Sequence, residues 1–253
     1  MGKIVAFANQ KGGIGKTTSA INIAASVALA GKKVLMCDCD PQGNTTSGIG
    51  VNKKNLREST YDILIGRCTA KEAVVKTQYE NLSVLPTNIS LAGAEFELIS
   101  LDDRATRLKS ALAEIRDEYD YIFIDCPPSL GILTLNALAA SDGVIIPMQC
   151  EYFALEGLSQ LMITIRKIKE TLNPDLEITG ILITMFQGRL NLSQMVLAEL
   201  KKYYAAKLFK TVVPRSVRLS EAPSYGMPIA YYDKTSKGAE AYRDIAKELI
   251  ERI

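Results

Sequence analysis

A glycine-rich segment near the start of the chain holds the residues best suited to binding phosphate. The segment reads Lys11-Gly12-Gly13-Ile14-Gly15-Lys16-Thr17-Thr18, and it lies between a run that predicts a strand and a run that predicts a helix. Glycines let successive backbone N–H groups converge on an anion, while a helix start and a lysine add positive charge. We therefore predict that these eight residues bind a nucleotide, with Lys16 on the β- and γ-phosphates and the Thr17 hydroxyl on Mg²⁺.

This segment differs from the common phosphate loop, G-x-x-x-x-G-K-[ST], in a missing glycine and an additional lysine. Gln10 stands where that pattern has glycine, and Lys11 adds a second lysine before the glycines. A second cation is redundant beside Lys16, but it is useful if it reaches a second copy of the chain and stabilises charge on a transferred phosphoryl group. We predict catalytic roles for Lys11 and Lys16. The alternative is that Lys11 is a solvated surface lysine.

Three aspartates lie where predicted strands end. Asp125 precedes Cys126-Pro127-Pro128, and Asp38 and Asp40 follow the second strand. Open α/β sheets bind ligands at the carboxyl ends of their strands, so these carboxylates should meet the phosphate segment. We predict a metal site formed by Thr17, Asp38, Asp40 and Asp125, in which Asp40 is catalytic and positions or deprotonates the attacking water. A turn-capping role for Asp38 or Asp40 is the alternative.

Short apolar runs alternate with longer helical patterns along the whole chain, which is typical of a mostly parallel sheet with helices on both faces. The predicted strands are Lys3–Asn9, Lys33–Asp38, Leu82–Pro86, Tyr121–Asp125, Gly143–Met148, Ile178–Met185 and Lys210–Val213. The predicted helices are Lys16–Ala30, Arg104–Glu118, Gly131–Ala140, Leu155–Thr171, Leu192–Ala206 and Gly238–Arg252. The last helix carries one apolar stripe, for which core packing is favoured over a membrane contact. We predict one α/β domain over residues 1–253.

The composition excludes several classes of protein. The chain has 47% hydrophobic and 23% charged residues, as globular proteins do, and its net charge of +2 gives no reason by itself to expect a nucleic-acid partner. Five cysteines without a C-x-x-C pair, and the absence of histidine, disfavour zinc and disulfide sites and fit a reducing cytoplasm. We find no secretory signal and no apolar run of about 18 residues, so we expect a soluble, cytoplasmic protein.

Four segments together indicate a family. They are Lys11–Thr18, Asp38-Cys-Asp-Pro-Gln-Gly-Asn44, Ile124-Asp-Cys-Pro-Pro-Ser129 and Val213-Pro-Arg-Ser-Val-Arg-Leu-Ser-Glu-Ala-Pro223. With them the chain resembles, almost from end to end, the ParA/Soj chromosome- and plasmid-partitioning ATPases of the deviant Walker A superfamily. It looks like their short form, which lacks an N-terminal helix-turn-helix.

The resemblance implies a P-loop NTPase fold that uses ATP and Mg²⁺. It implies a sandwich homodimer, formed with ATP, in which the lysine matching Lys11 contacts the nucleotide of the opposite subunit. Such a dimer would bind DNA without sequence preference, associate with the nucleoid and release DNA after hydrolysis. A ParB/Spo0J-like centromere-binding partner would stimulate an otherwise weak ATPase.

The resemblance also suggests which residues contact DNA and the nucleotide base. The candidates for DNA contacts are Arg189, Arg215, Arg218, Lys237 and Arg243, and the alternative for each is a solvated surface residue. The candidates for the base pocket are Met185, Phe186 and Pro214.

Three other functions remain open on the same fold. A MinD-like ATPase that cycles on membranes would need a basic amphipathic anchor, whereas this sequence stops at Glu251-Arg252-Ile253. A carrier of a metal cluster would need cysteine ligands, and only Cys126 lies beside a candidate metal ligand. A binding module would hold ATP as a ligand and use slow hydrolysis only to reset itself.

Overall fold

Apolar runs without internal charges form the middle of a seven-stranded sheet. The computed structural model describes residues 1–253, and its strands are β1 (Lys3–Phe7), β2 (Val34–Asp38), β3 (Val75–Lys76), β4 (Leu82–Leu85), β5 (Tyr121–Asp125), β6 (Gly143–Met148) and β7 (Glu177–Ile183). Their order across the sheet is β3-β4-β2-β5-β1-β6-β7, and only β3 runs antiparallel to its neighbour. Every residue of β2, β5 and β6 is buried, because both faces of the sheet are covered.

Helices cover both faces, as predicted. They are α1 (Lys16–Leu29), α2 (Asn44–Gly48), α3 (Thr60–Ile65), α4 (Ala70–Ala73), α5 (Leu91–Glu97), α6 (Arg107–Ala113), α7 (Ile132–Ala140), α8 (Ala154–Thr171), α9 (Asn191–Tyr204), α10 (Val217–Glu221), α11 (Ile229–Tyr232) and α12 (Lys237–Arg252). Two separate apolar cores result, one on each side of the sheet. The α/β fold class predicted from the sequence is therefore confirmed.

Helix α12 packs against α1, and this contact uses the apolar stripe seen in the sequence. Ala239, Tyr242, Ile245, Ala246 and Leu249 are all buried in the core that α1 also enters. The prediction of core packing for this stripe is thus confirmed. No helix of the chain is long and apolar enough to span a bilayer.

One predicted strand is wrong. Lys210–Val213 forms no strand: isolated bridges at Leu208 and Pro214 and a hydrogen bond from the N–H of Val213 to the carbonyl of Ile183, at 2.8 Å, join this part of the chain to the region of β7. The backbone N–H of Lys210 instead donates to the carboxylate of Glu248 on α12, at 3.1 Å. The contact with Glu248 therefore uses a backbone N–H that a continuous strand would need for its hydrogen bonds to β7.

Two further differences concern helices. The predicted helix Arg104–Glu118 is shortened to α6 and a separate 3₁₀ turn, Arg116–Glu118. The buried Asn136 of α7 accepts from the N–H of Leu108 and donates to the carbonyl of Arg104, so a neighbouring helix fixes where α6 begins. Helices α2 to α5, α10 and α11 were not predicted, because each has only 4 to 7 residues and depends on tertiary packing.

The register of the central strands brings distant parts of the sequence together. Phe7 at the end of β1 pairs with Asp125 at the end of β5, and Asp125 in turn pairs with Asp38 at the end of β2. The phosphate-loop segment leaves β1 at the same edge of the sheet. Parallel pairing therefore gathers the loop and the carboxylates at one edge.

Asn22 in the buried face of α1 anchors the C-terminal part of the fold. Its Oδ1 accepts from the N–H of Ile229 at 2.6 Å, and its Nδ2 donates to the carbonyl of Thr18 at 2.8 Å.

We expect Asn22→Ala to lower the free energy of unfolding by about 1–3 kcal/mol, because the buried N–H of Ile229 loses its acceptor. Urea denaturation measures this. Asn55→Ala is the control, since Asn55 is exposed and its side chain makes no hydrogen bond. If both changes lowered the free energy of unfolding equally, the hydrogen bonds of Asn22 would not be what stabilises the fold.

Candidate functional site

The segment Lys11–Thr18 forms a loop whose backbone N–H groups are free to bind an anion. Gly13 and Gly15 have φ values of +71° and +85°, a region that favours glycine, and these turns reverse the direction of the peptide groups. None of the N–H groups of residues 12 to 15 donates to another protein atom. Helix α1 begins directly after them at Lys16. Four consecutive free donors at a helix start form a concave site for phosphate.

The carbonyl groups of the same loop are held by the surrounding structure. The side-chain amide of Gln149 donates to the carbonyl of Gly13 at 3.2 Å, and the hydroxyl of Thr184 donates to the carbonyl of Ile14 at 2.6 Å. The ammonium of Lys16 donates to the carbonyl of Lys11 at 2.9 Å. With the oxygens occupied in this way, the loop presents its nitrogens to a ligand.

Lys16 lies inside the protein, with only 6% of its surface exposed. Burial lowers the pKa of its ammonium, and the nearby charges of Asp125 and Asp40 act in the opposite direction. The positive charge of Lys16 is thus directed at the edge of the sheet where the carboxylates gather.

Asp125 is completely buried and has one carboxylate oxygen without a partner. Its Oδ2 accepts from the hydroxyl of Thr45 at 2.8 Å, whereas Oδ1 makes no hydrogen bond. Burial raises the pKa of Asp125 to about 6, and the hydroxyls of Thr45 and Thr17 oppose that rise. A buried oxygen of this kind suits a metal ion or a metal-bound water, because an orphaned buried acceptor is otherwise unfavourable.

Asp38 is also fully buried, but all of its oxygens are used within the protein. Oδ2 accepts from the N–H and the hydroxyl of Thr46, at 2.8 and 2.6 Å, and Oδ1 accepts from the N–H of Asp40 at 3.3 Å. These contacts tie the end of β2 to the first turn of α2. Asp38 therefore fixes the segment that carries Asp40, and its predicted place beside the metal stays a prediction.

Asp40 begins the loop between β2 and α2, and 7% of its surface is exposed. Its Oδ1 accepts from the N–H of Gln42 at 3.0 Å, which is a turn-capping contact. One carboxylate oxygen remains for other partners. The structure thus combines the two alternatives left open by the sequence, since Asp40 caps a turn and also lies near the charge of Lys16.

The side chain of Lys11 is about half exposed. Its ammonium forms an ion pair with the carboxylate of Glu151, in the segment between β6 and α8. The prediction that Lys11 acts on a second copy of the chain is not tested by this contact, which lies within one chain.

A cavity of about 380 Å³ adjoins the loop on the side of β7. It is lined by Gly15, Thr18, Met185 and Pro214 among others, and by Tyr242 of α12. Met185, two residues after the end of β7, has a φ of +49°, and its Sδ accepts from Nε2 of Gln149 at 2.9 Å. Two of the three residues predicted for a base pocket, Met185 and Pro214, therefore line the cavity. Phe186 does not, although it forms a bridge to Pro214.

The residues predicted to bind DNA differ in how they are engaged. Arg218 of α10 pairs with Glu221 at 3.1 Å and with Asp233 at 3.5 Å, so its charge is already compensated. Arg243 donates to the carbonyl of Lys234 at 3.1 Å. Arg189, Arg215 and Lys237 are exposed and form no ion pair. These three have charge available for phosphate.

Sequence reasoning missed several residues that shape the site. They are Thr45, Thr46, Gln149, Glu151 and Thr184. The two threonines follow the Asp38–Asn44 segment directly, and this position after a strand is a signal that could have found them. The other three lie 136, 140 and 170 positions from the loop residues that they contact. Only the pairing of β1 with β6, and of β6 with β7, brings them to the loop.

Comparison with known proteins extends these findings. The family model of the AAA domain matches residues 2–178. The sporulation initiation inhibitor protein Soj of Bacillus subtilis is 55% identical over 98% of both chains. The chromosome-partitioning ATPase Soj of Treponema pallidum is 50% identical, over 100% of this chain and 98% of that relative.

Solved structures show the same architecture. A protein from Mycobacterium smegmatis, described as cobyrinic acid a,c-diamide synthase with bound ADP and magnesium, is 38% identical and has a TM-score of 0.87. The match covers 99% of this chain and 95% of that one. A plasmid partition protein of Borrelia burgdorferi bound to AMPPNP is 27% identical over 100% of both chains, with a TM-score of 0.86. Both structures hold an adenine nucleotide or its analogue.

The buried carboxylate of Asp38 predicts a dependence of stability on pH. Burial, helped by the charge of Asp125, raises its pKa from 3.8 to about 7. The folded protein therefore binds a proton that the unfolded chain has lost between these values, so stability falls as pH rises through this range. We compare the free energy of unfolding of Asp38→Asn with that of the wild type, both without nucleotide and magnesium. Between pH 4.5 and 8 we expect the difference to shift in favour of Asp38→Asn by on the order of 2–4 kcal/mol.

Urea denaturation at a series of pH values measures this difference. Asp175→Asn is the control, because Asp175 is exposed and forms no ion pair. A constant difference between Asp38→Asn and the wild type across the series would rule out the protonation of Asp38.

Proposed function

Because the chain belongs to the ParA/Soj family of chromosome-partitioning ATPases, we propose that it is a DNA-segregation switch whose state is set by ATP. It is an ATPase that uses ATP and Mg²⁺. In the proposed cycle, ATP brings two copies together, the dimer binds DNA without sequence preference, and hydrolysis separates the copies. A ParB/Spo0J-like partner stimulates the hydrolysis.

One observation supports the assignment of the nucleotide site. Four free N–H groups, the buried ammonium of Lys16 and the unpartnered Oδ1 of Asp125 converge at one edge of the sheet. No group of three or more His, Cys, Asp or Glu side chains lies together to hold a metal without help. Magnesium would therefore be held by Thr17 and Asp125 together with phosphate oxygens and water, where it would neutralise charge on the phosphates.

The protein's own residues supply positioning and charge around the phosphates. Lys16 and the loop N–H groups bind and orient them. Asp40 has one free carboxylate oxygen with which to orient a water or take its proton. Asp38 and Thr46 hold the loop that carries Asp40 in place.

The surface around Lys11 supports the homodimer. Lys11, Gly12 and Gly13 are exposed although they belong to the phosphate loop. Beside them Tyr152 and Phe153 are 76% and 68% exposed, which is unusual for neighbouring aromatic residues. A second copy covering this face would bury the aromatic rings and exclude water from the phosphates.

The alternatives find less support in the structure. The apolar stripe of α12 is buried against α1 and does not offer an anchor for a membrane-cycling ATPase. The buried Cys126 has no set of companion ligands for a metal cluster. The name of the Mycobacterium smegmatis protein describes a different reaction, but that protein is less similar in sequence than the Soj relatives.

Asp40→Ala tests the cycle directly. Without the carboxylate that orients the water, we expect ATP to bind normally and hydrolysis to fall by about 10²-fold or more. Dimers should then accumulate on nonspecific DNA. Gel filtration with ATP and Mg²⁺, with and without DNA, measures dimerisation and DNA binding together.

Lys16→Ala is the control for this experiment. Its ammonium is required for phosphate binding, so this variant should remain monomeric with ATP. Normal ATP turnover by Asp40→Ala would contradict the role of Asp40. If Asp40→Ala stays monomeric with ATP and Mg²⁺, the proposed switch is wrong.

Arg189→Ala tests the DNA contact in the Asp40→Ala background. We expect the dimer to persist, DNA affinity to fall, and the slope of log affinity against log salt to decrease by about 0.9 for each phosphate that the protein no longer neutralises. Arg218→Ala is the comparison, because Glu221 and Asp233 already compensate Arg218 and its removal should weaken binding less. Fluorescence anisotropy with duplex DNA gives both slopes. Unchanged affinity for Arg189→Ala would place the DNA surface elsewhere.

A further inference from the structure

The lysine expected to reach a second subunit is held by its own subunit. The ammonium of Lys11 pairs with the carboxylate of Glu151, which lies 140 positions later in the sequence. Each of the two side chains is 47% exposed.

The same stretch of chain holds the loop at two other points. Gln10 donates from Nε2 to Oε1 of Gln160 on α8, at 2.8 Å, and Gln149 donates to the carbonyl of Gly13 at 3.2 Å. Gln10 is the position at which the loop departs from the common phosphate-loop pattern, and Lys11 is its additional lysine. Both residues contact residues 149–160, which we call the latch segment.

We propose that Glu151 is a positioning residue that retains Lys11 on its own subunit until a second, nucleotide-loaded copy arrives. The inference rests on the proposed dimer, because Lys11 can act on the partner's nucleotide only after it leaves Glu151. Phosphate oxygens offer the ammonium the same kind of charge-assisted hydrogen bond as a carboxylate, so the exchange needs no large driving force. Glu151 then sets how much ATP and protein are needed before two copies stay together.

The position of Glu151 is specific within the latch segment. Glu156 lines the same cavity of about 280 Å³ as Lys11, but it forms no ion pair. Replacing each glutamate by glutamine removes one negative charge from nearly the same place. Only Glu151→Gln also removes the partner of Lys11, so Glu156→Gln is a matched control for the change in local charge.

The first test uses nucleotide-free protein, in which no dimer is required. Acetylation of lysines by an N-hydroxysuccinimide ester, followed by mass spectrometry, reports how freely each ammonium reacts. We expect Glu151→Gln to raise the labelling rate of Lys11 about two- to fivefold, and Glu156→Gln to leave it near the wild-type rate. Labelling of Lys54, which is exposed and far from the loop in sequence, normalises the measurement.

The second test measures the dimer with Mg²⁺ and a non-hydrolysable ATP analogue, so that turnover does not enter. An exposed ion pair changes an equilibrium by about two- to fivefold, and a symmetric dimer contains two such pairs. We therefore expect Glu151→Gln to lower the dimer dissociation constant about four- to twenty-five-fold in analytical ultracentrifugation. Glu156→Gln should remain within about twofold of the wild type.

These outcomes separate the inference from the proposed function. Increased Lys11 labelling together with tighter dimers supports the latch, and equal behaviour of the two glutamine variants in either test overturns it. Weaker dimers with Glu151→Gln also overturn it, because they would mean that Glu151 assists the dimer instead of opposing it. If the wild type never dimerises with nucleotide, the proposed function fails, whereas the labelling result still reports whether Glu151 holds Lys11.

Discussion

A buried lysine surrounded by buried carboxylates is the interaction on which the rest of this structure depends. Lys16 and Asp125 lie at the carboxyl edge of a sheet covered on both faces, where neither charge is well solvated. Each is unfavourable without the other, because an isolated charge in an apolar interior has a large desolvation cost. A magnesium nucleotide brings both negative charge for Lys16 and a cation for Asp125. The apo site is therefore polar, preorganised and suited to that ligand.

The surrounding fold has to hold this cluster in register. Parallel pairing aligns Phe7, Asp125 and Asp38 across three adjacent strands, and Thr45 and Thr46 of α2 then bond to the two aspartates. A loop that carries Asp40 is thereby tied to the strand that carries the unpartnered oxygen of Asp125. Tyr242 of α12 contacts Ser19 of α1 at 3.1 Å and lines the cavity beside the loop. The C-terminal helix thus contributes to the wall of the candidate nucleotide site as well as to the core.

The two lysines of the loop have separate tasks in this arrangement. Lys16 faces inward and depends on burial for its strength, whereas Lys11 faces outward and pairs with a carboxylate that remains partly in water. A half-exposed ion pair is weak enough to be exchanged. In the proposed dimer, that difference would let Lys16 bind the nucleotide of its own subunit while Lys11 stays available for the nucleotide of the other subunit.

Local sequence patterns predicted the fold class, six of the seven strands in the sheet, and the positions of the glycine-rich loop and of the aspartates at the strand ends, because glycine, lysine and apolar spacing act over a few residues. The same patterns predicted that the stripe of α12 belongs to the core. Three findings depend on tertiary contacts. Lys210–Val213 is not a strand, and Asp38 accepts hydrogen bonds from Thr46. Arg218 pairs with Glu221 and Asp233. Only tertiary structure, likewise, placed Glu151 against Lys11. Each of these contacts joins groups whose meeting depends on the packing of whole elements, which spacing along the chain does not encode.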